Sequence, residues 1–203
     1  PFISDYDVSL NGVLVYLPAG SSPPAYHLVW KARQGVTVPI VTRSRVYAFP
    51  ALSPDGERLS VNVREGASRN IWTGRVANEP LTRLTFGNDD LGGLWSRDGK
   101  RLFYTAGQEG TYNIFSIPTD GSGKAERLTQ SPNPQGPESL SPSGDTLLFI
   151  ENHPTTGVDI WELSLSSKES RPVVKTRFDE ENAVFSPDGH WIAYNSNESG
   201  EME

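Results

Sequence analysis

Eight charged residues are the strongest candidates for binding a ligand, because they lie in or beside short polar segments between apolar runs. Six are carboxylates and two are arginines: Asp89, Asp90, Glu138, Asp179, Glu180, Glu181, Arg43 and Arg45. Together they predict a rim, acidic on one side and basic on the other, that binds a cation, a basic peptide or another polar ligand. The alternative is that these segments are ordinary solvated turns, which are polar in most proteins.

An aspartate recurs in a repeated Ser-Pro-Asp-Gly pattern, as Asp55, Asp98 and Asp188. Carboxylate oxygens suit Ca²⁺, which takes about six to eight oxygen ligands. One carboxylate per repeat, far from the next, is poor geometry for such a shell, so the pattern favours a turn residue. We expect no cofactor, and Ca²⁺ in a central channel is the alternative.

No catalytic constellation is visible in the sequence. The three histidines, His27, His153 and His190, fall at different places relative to the repeat described below. Nucleophile-elbow, phosphate-loop and His-Glu-x-x-His motifs do not occur, and the segment 121–124 (Gly-Ser-Gly-Lys) lacks the spacing of a phosphate loop. The absence of cysteine excludes thiol catalysis and cysteine-based zinc sites. The sequence therefore predicts no catalytic residue and no metal site.

The composition is that of a folded domain with many turns. Hydrophobic residues make up 35% and charged residues 21%, with 19 glycines and 16 prolines. The net charge of −7 would repel a phosphate backbone, so we expect no nucleic-acid partner. No apolar run approaches the roughly 18 residues of a membrane helix, so we expect no membrane segment in this chain.

A turn pattern recurs at an even spacing. Its leading serines are 44, 43, 45 and 45 residues apart: Ser9, Ser53, Ser96, Ser141 and Ser186. In its full form, proline fixes φ near −65°, aspartate can bond backbone N–H groups, and glycine takes a positive φ. Each turn is therefore predicted to connect two antiparallel strands.

Short β-rich runs surround each turn. Examples are 147–150 after the turn, 71–72 and 160–161 as third strands, and 39–42 and 83–85 as closing strands. No run has helical spacing of its apolar residues, so helices should be nearly absent. Four antiparallel strands per unit predict a propeller blade. A β-sandwich also uses short strands, but it does not need one turn motif at a fixed period.

The repeat predicts one all-β domain over residues 1–203, a β-propeller with four complete four-stranded antiparallel blades and half of a fifth. The predicted blades are 5–47, 48–90, 91–135, 136–181 and a partial 182–203. We expect an incomplete ring, a fragment of a six-bladed propeller. Open blade edges would favour self-association of the chain.

The turn pattern, the Ile-Trp or Ile-Phe third strand and the closing Arg-Leu-Thr resemble the WD-like repeats of TolB-type propellers over nearly the whole chain. The segments 11–16 and 28–35 also resemble the propeller that follows the kinase domain in some bacterial serine/threonine kinases. These resemblances imply a protein-binding or ligand-sensing role, often extracytoplasmic. They carry no catalytic residue over to this chain.

We give the name lead-in loop to the segment that precedes the first strand of a blade, which in such propellers lies near the channel mouth. The predicted lead-in loops hold most of the charged candidates: 43–47, 87–90, 131–135 and 177–181, with Asp5 and Asp7 at the equivalent place in the first repeat. Aromatic residues at one register of the third strand, Trp30, Trp72, Phe115 and Trp161, favour packing between blades over an exposed sugar platform.

These observations favour a non-catalytic module that presents loops to a protein or peptide. The alternatives are a propeller enzyme of hydrolase or lactonase type, or the gating propeller of a serine peptidase whose catalytic domain is absent, because a fold does not determine a function. Any kinase or peptidase activity would lie outside this chain. We expect an extracytoplasmic location from the resemblance alone.

Overall fold

The computed structural model describes residues 6–8, 14–16, 27–31, 33, 35–41, 43–76, 80–108 and 110–203. All regular elements within these ranges are β-strands, which confirms the all-β prediction. In this part of the chain, no helix is long and apolar enough to cross a membrane. The predicted first turn at residues 9–12, the candidate Asp5 and the side chain of Asp7 lie outside what the structure describes.

The strands form four four-stranded sheets and one two-stranded sheet. The first sheet contains β1 (Tyr6–Val8), β2 (Leu14–Tyr16), β3 (Val29–Lys31) and β4 (Thr37–Pro39). The second contains β5 (Val46–Leu52), β6 (Arg58–Glu65), β7 (Ser68–Arg75) and β8 (Thr82–Arg83). The third contains β9 (Asp90–Trp95), β10 (Arg101–Gln108), β11 (Thr111–Pro118) and β12 (Glu126–Arg127).

The fourth sheet contains β13 (Gln135–Leu140), β14 (Thr146–His153), β15 (Gly157–Ser164) and β16 (Ser170–Val174). The two-stranded sheet contains β17 (Glu180–Phe185) and β18 (Ile192–Ser196). In every sheet the strands adjoin in chain order, as in an antiparallel meander. These are the four complete propeller blades and the half blade that the repeat predicts.

The repeated turn is closed by its serine hydroxyl. The Ser53 Oγ donates to Asp55 Oδ1 at 2.5 Å and accepts the N–H of Arg58 at 2.9 Å. Gly56 donates its N–H to the Ser53 carbonyl and has a φ of 71°, which glycine adopts without strain. The turns at Ser96 and Ser186 repeat these contacts.

The Ser141 turn lacks the usual aspartate and uses Asp145, two residues further along the chain, instead. Ser143 stands in the aspartate position, and the Oδ1 of Asp145 accepts bonds from both Ser141 and Ser143. The hydroxyl of Ser141 still accepts the N–H of Thr146. The turn predicted from the sequence is therefore present even where its motif is incomplete.

The closing Arg-Leu-Thr motif holds the outer edge of a blade by side-chain bonds. The Thr85 hydroxyl accepts the N–H of Ile71 at 2.9 Å, and the Arg83 Nε donates to the Thr85 carbonyl at 2.8 Å. Thr129 and Arg127 make the same two bonds in the next blade. The motif is thus a substitute for strand pairing, since β8 and β12 are only two residues long.

The outer strand of the first blade differs from its prediction. The sequence places it at 39–42, but β4 spans Thr37–Pro39. Proline has no N–H to donate, and β4 is an edge strand, where that loss is tolerated. Ile40 still donates its N–H to the Leu28 carbonyl at 2.8 Å, which continues the contact beyond the strand.

The chain divides into two compact units, Pro1–Leu102 with Pro118–Gly123, and Phe103–Ile117 with Lys124–Glu203. The core of the first unit packs apolar side chains of the first two sheets together: Leu28, Tyr47, Leu52, Leu59, Val61 and Val63, with Trp30 and Trp72 partly buried against them. In the second unit, Leu148 and Ile160 pack against Ala183 of the half blade. Phe115 is also buried, as expected for packing between blades, whereas Trp191 is exposed.

We predict that Thr85→Val lowers the free energy of unfolding by about 1 to 3 kcal/mol, because the buried N–H of Ile71 loses its acceptor without a change of side-chain shape. Urea denaturation followed by tryptophan fluorescence measures the change. Thr82→Val, at an exposed position of β8, is the control and should change it little. An equal effect of the two substitutions would contradict the assigned role of Thr85.

Candidate functional site

In the second, third and fourth blades and in the half blade, a buried polar side chain lies at the first or second residue of the first strand. This residue lies six positions before the turn serine: Tyr47, Asp90, Gln135 and Glu180. The Tyr47 hydroxyl donates to the Arg43 carbonyl at 3.0 Å, four residues back in its own loop. Asp90 and Glu180, proposed from the sequence as ligand-binding residues, therefore share a position with a structural tyrosine.

Asp90 is almost fully buried and folds its loop by accepting the N–H of Gly87 at 3.0 Å. Burial raises the pKa of Asp90, and hydrogen bonds from the Thr85 side chain and from the Gly87 N–H oppose that rise. The Asp90 carbonyl accepts the Asn62 amide at 2.8 Å, and the Asn62 Oδ1 accepts the N–H of Gly92. Asp90 is therefore the anchor of its loop.

Glu180 has the same role in the half blade, where it is 1% exposed. Its Oε1 accepts a hydrogen bond from the Thr176 hydroxyl, four residues back in the lead-in loop. The neighbouring Asp179 accepts the Val158 N–H and the Asn197 amide, each at 3.0 Å. Glu180 thus closes the segment before β17 on itself, and Asp179 connects that segment to β15 and to the residue after β18.

The two candidates at the start of the second and third blades are engaged in ion pairs. Arg45 pairs with Glu65 at 3.0 Å, and its guanidinium lies 4.7 Å from the centre of the Trp72 ring. Asp89 accepts both the Nε and an Nη of Arg69, at 2.5 and 2.8 Å. These bidentate and stacked arrangements fix the loops more firmly than single contacts would.

The first strands share a bulge between the lead-in loop and the turn. Pairing shifts register in β5, β13 and β17. Positive φ values occur at Phe49, Gly92 and Asn182, each four residues before the turn serine. The corresponding residue in β13 is Pro137, whose ring forbids a positive φ, and there the shift spans Glu138. A bulge re-aims backbone and side chains, and bulges are frequent next to functional sites.

Glu138 lies within β13 and not in a lead-in loop. Its two carboxylate oxygens accept the N–H groups of Asn182 and Ala183 at 2.7 and 2.6 Å. Burial raises the pKa of Glu138 to about 7; the two backbone hydrogen bonds oppose that rise, and the charge of Glu181 adds to it. Glu138 thus binds the bulged strand of the half blade through two backbone N–H groups, and Glu181 of that strand lies close to the Glu138 carboxylate.

Arg43 is the candidate that remains most available, because its side chain is exposed and its carbonyl alone is used by Tyr47. Three of the eight candidates lie in the first unit and are each bonded to a structural partner. They are Arg45, Asp89 and Asp90. Glu138, Asp179, Glu180 and Glu181 lie together in the second unit around β17. Their role in ligand binding stays a prediction.

Sequence reasoning missed two arginine–aromatic pairs, one directly before the predicted lead-in loop 87–90 and one within the predicted lead-in loop 177–181. Arg83 lies over the ring of Phe86 at 4.9 Å, and Phe86 is 76% exposed. Arg177 lies over the ring of Phe178, also at 4.9 Å. The signal available was an aromatic residue directly after or near the closing motif, inside an otherwise polar segment.

The described residues contain no cluster of three or more histidine, cysteine or acidic side chains that could hold a metal ion. The turn aspartates are occupied, because hydrogen bonds from Ser53 and Ser96 lower the pKa values of Asp55 and Asp98. Asp188 is bonded to Ser186 in the same way. The turn interpretation of these aspartates therefore accounts for all three.

Residues 29–203 match the family described as the TolB beta propeller domain. The chain belongs to the TolB β-propeller family. Among curated relatives, it is 23% identical over 180 residues to the Tol-Pal system protein TolB of Francisella tularensis, covering 87% of this chain and 41% of that protein. It is 27% identical over 93 residues to the Tol-Pal system protein TolB of Anaeromyxobacter dehalogenans, covering 46% of this chain and 21% of that protein.

The chain therefore spans less than half the length of these curated relatives. Among solved structures, TolB from Acinetobacter baumannii superposes with a TM-score of 0.81 at 18% identity, covering 98% of this chain and 50% of that one. A prolyl endopeptidase structure gives a TM-score of 0.72 at 14% identity, covering 97% and 32%. At such identities the likeness shows the propeller fold alone.

We predict that Glu138→Gln removes a pH dependence of stability. In the folded protein the carboxyl ionises near pH 7, against about 4.5 when unfolded, so its favourable contribution is present below pH 4.5 and is lost as the pH rises through 7. Between pH 5 and 8 the variant should lose about 2 kcal/mol less unfolding free energy than the wild type. Urea denaturation at both pH values measures this difference.

The relevant quantity is the change in unfolding free energy between the two pH values, because glutamine replaces one acceptor oxygen with an NH2 group and so can shift the stability by a constant amount at both. Glu198→Gln, an exposed carboxylate, serves as the control and should follow the wild type. Equal losses in the Glu138 variant and the wild type would show that this carboxyl ionises normally in the folded protein.

Proposed function

We propose that this chain is a non-catalytic binding module whose lead-in loops contact a protein or peptide partner. The observation that carries the proposal is Phe86, a large aromatic side chain that is 76% exposed on a loop held by the buried Asp90. Arginine and aromatic residues are the types that dominate binding energy at protein interfaces. Phe86 presents both together, because Arg83 lies over its ring.

The anchoring of the loops supports the same function. A loop that is already fixed loses little conformational freedom when a partner binds, so more of the contact energy appears as affinity. Tyr47, Asp90 and Glu180 each fix their loop from within the blade. Exposed side chains on these loops, including Arg43, can then vary in type while the frame stays the same.

The names of the curated relatives suggest a cellular setting. They are Tol-Pal system proteins, so we infer that this chain works outside the cytoplasm as part of a Tol-Pal type assembly. Of the eight charged residues proposed from the sequence, the exposed Arg43 would meet an acidic group of the partner. The first repeat resembles kinase-associated propellers. On that basis we infer a further role, in which binding of the partner serves as the sensory step.

A second candidate is the propeller of a multidomain peptidase. It is favoured by the likeness of the fold to a prolyl endopeptidase structure, of which the chain covers 32%. In that case the propeller would control access to a catalytic domain, and the chemistry would reside in another part of the protein. The family match over residues 29–203 favours the TolB-like role.

Binding to the Pal component of the same organism, measured by biolayer interferometry on the full 203-residue chain, tests the leading proposal. We expect saturable binding and at least a tenfold loss of affinity in Phe86→Ala. Trp191→Ala is a matched control, because Trp191 is 75% exposed but lies outside the lead-in loops. Absence of Pal binding would reject the Tol-Pal assignment, and binding unchanged by Phe86→Ala would reject the role of the loop.

A further inference from the structure

A cavity of about 300 Å³ lies within the second unit, between residues 128–132 and one face of the fourth blade. Phe149 and Trp161 line it with rings 6.3 Å apart and inclined by 27°. Its polar lining includes Gln135, Glu151 and Lys168. A cavity of this size admits a small organic group as well as water.

Three polar side chains form a cross-strand row beside this cavity. Gln135 pairs with Glu151, and Glu151 pairs with Asp159, so the three lie side by side on β13, β14 and β15. They are 7%, 8% and 0% exposed. Ten residues after the turn serine, where this blade has Glu151, the two preceding blades have Val63 and Ala106. The blade fold thus does not require a carboxylate at this position, where burying one is costly.

The charges around the cavity leave one negative charge unbalanced. Lys168 is paired with Glu126, and Lys175 lies 3.5 Å from Asp159. Glu151 accepts the Asn133 amide at 3.1 Å and the Gln135 amide at 2.7 Å, but these neutral donors do not cancel its charge. Within the part of the chain that the structure describes, no basic side chain pairs with Glu151.

A lining residue of the cavity, Gln135, also has a buried acceptor that is unsatisfied. The Gln135 Nε2 donates to Glu151, which fixes the amide so that Oε1 is the other polar atom, and this oxygen has no donor among the described residues. Asp159 Oδ1, next along the row, has none either. The Nε1 of Trp161 is also unpartnered, but so is the Nε1 of Trp72, so this feature does not distinguish the fourth blade from the second.

The second blade shows what satisfies such an arrangement. There the guanidinium of Arg45 lies 4.7 Å from the centre of the Trp72 ring and pairs with Glu65. Trp72 and Trp161 occupy the same register, and Arg45 lies eight residues before its turn serine. In the fourth blade that position is Asn133, so the aromatic ring is present without the arginine. The buried carboxylate of this blade, Glu151, lies two residues nearer to its turn serine than Glu65 does to its own.

We propose that this cavity binds a guanidinium group that comes from outside the chain. A planar guanidinium has five N–H donors and stacks on aromatic rings, so it can bond the Glu151 carboxylate and Gln135 Oε1 while lying against Trp161. Lys175 is 5.3 Å from the Trp161 ring, but it is held by Asp159 and does not line the cavity. This inference does not depend on the loop that carries Phe86.

An arginine side chain of a protein and a free small guanidinium share this chemistry. The test is therefore an NMR titration of the full chain with ethylguanidinium and with the peptide Gly-Gly-Arg-Gly-Gly. The indole N–H resonance of Trp161, assigned with Trp161→Phe, reports binding at the cavity. The control peptide has citrulline in place of arginine, which keeps the shape but removes the charge.

We expect a saturable shift of the Trp161 resonance and at least tenfold weaker binding of the citrulline peptide. Glu151→Gln should weaken binding of the arginine peptide at least tenfold, whereas Glu198→Gln, with the same change of net charge at an exposed site, should not. Tighter binding of the peptide than of ethylguanidinium identifies a protein side chain as the source, and the reverse identifies a free small molecule.

No saturable shift with either cation would overturn the proposal, and so would equal binding of the arginine and citrulline peptides. Unchanged binding by a Glu151→Gln variant that melts like the wild type would also overturn it. If that variant does not fold, the titrations of the wild-type chain decide the question.

Discussion

A buried polar side chain at the start of a first strand has to find its partner in the segment before it. Leaving such a group unpaired costs about 1 to 3 kcal/mol, a large share of the stability of a small domain. Tyr47, Asp90 and Glu180 meet this constraint by bonding residues three or four positions back. In the fourth blade, Glu151 connects Gln135 to Asn133 to the same effect. The lead-in loops therefore take their shape from the blades that follow them.

A second constraint comes from the turn serines. In four turns the serine hydroxyl accepts the N–H group five residues further on, which fixes the register of the two strands that the turn connects. A slip of one residue would move every side chain of a strand to the opposite face. With the register fixed, one position on the second strand can change its chemistry without a change of fold. Val63, Ala106 and Glu151 occupy that position in successive blades. A repeated frame thus allows one blade to carry a polar cavity where the two preceding blades have apolar side chains.

The repeat, the strands and the turns could be predicted from the sequence because their chemistry is local. The turn contacts join residues at most five positions apart, and the proline, aspartate and glycine of the motif mark these turns in the sequence. The partners of the candidate residues could not be predicted, since Arg69 and Asp89 are 20 residues apart and Glu138 reaches residues more than 40 positions away. The exposure of Phe86 could not be predicted from the sequence either, because an aromatic residue is more often buried.

The central claim is that buried side chains make the lead-in loops rigid enough to bind without rearrangement. Residue-resolved amide hydrogen exchange of the free chain tests it most directly. We predict that the N–H groups of Gly87 and Val158, which the carboxylates of Asp90 and Asp179 accept, exchange at least a hundredfold more slowly than unstructured amides. Exchange of these amides at the rate of an unfolded chain would contradict it.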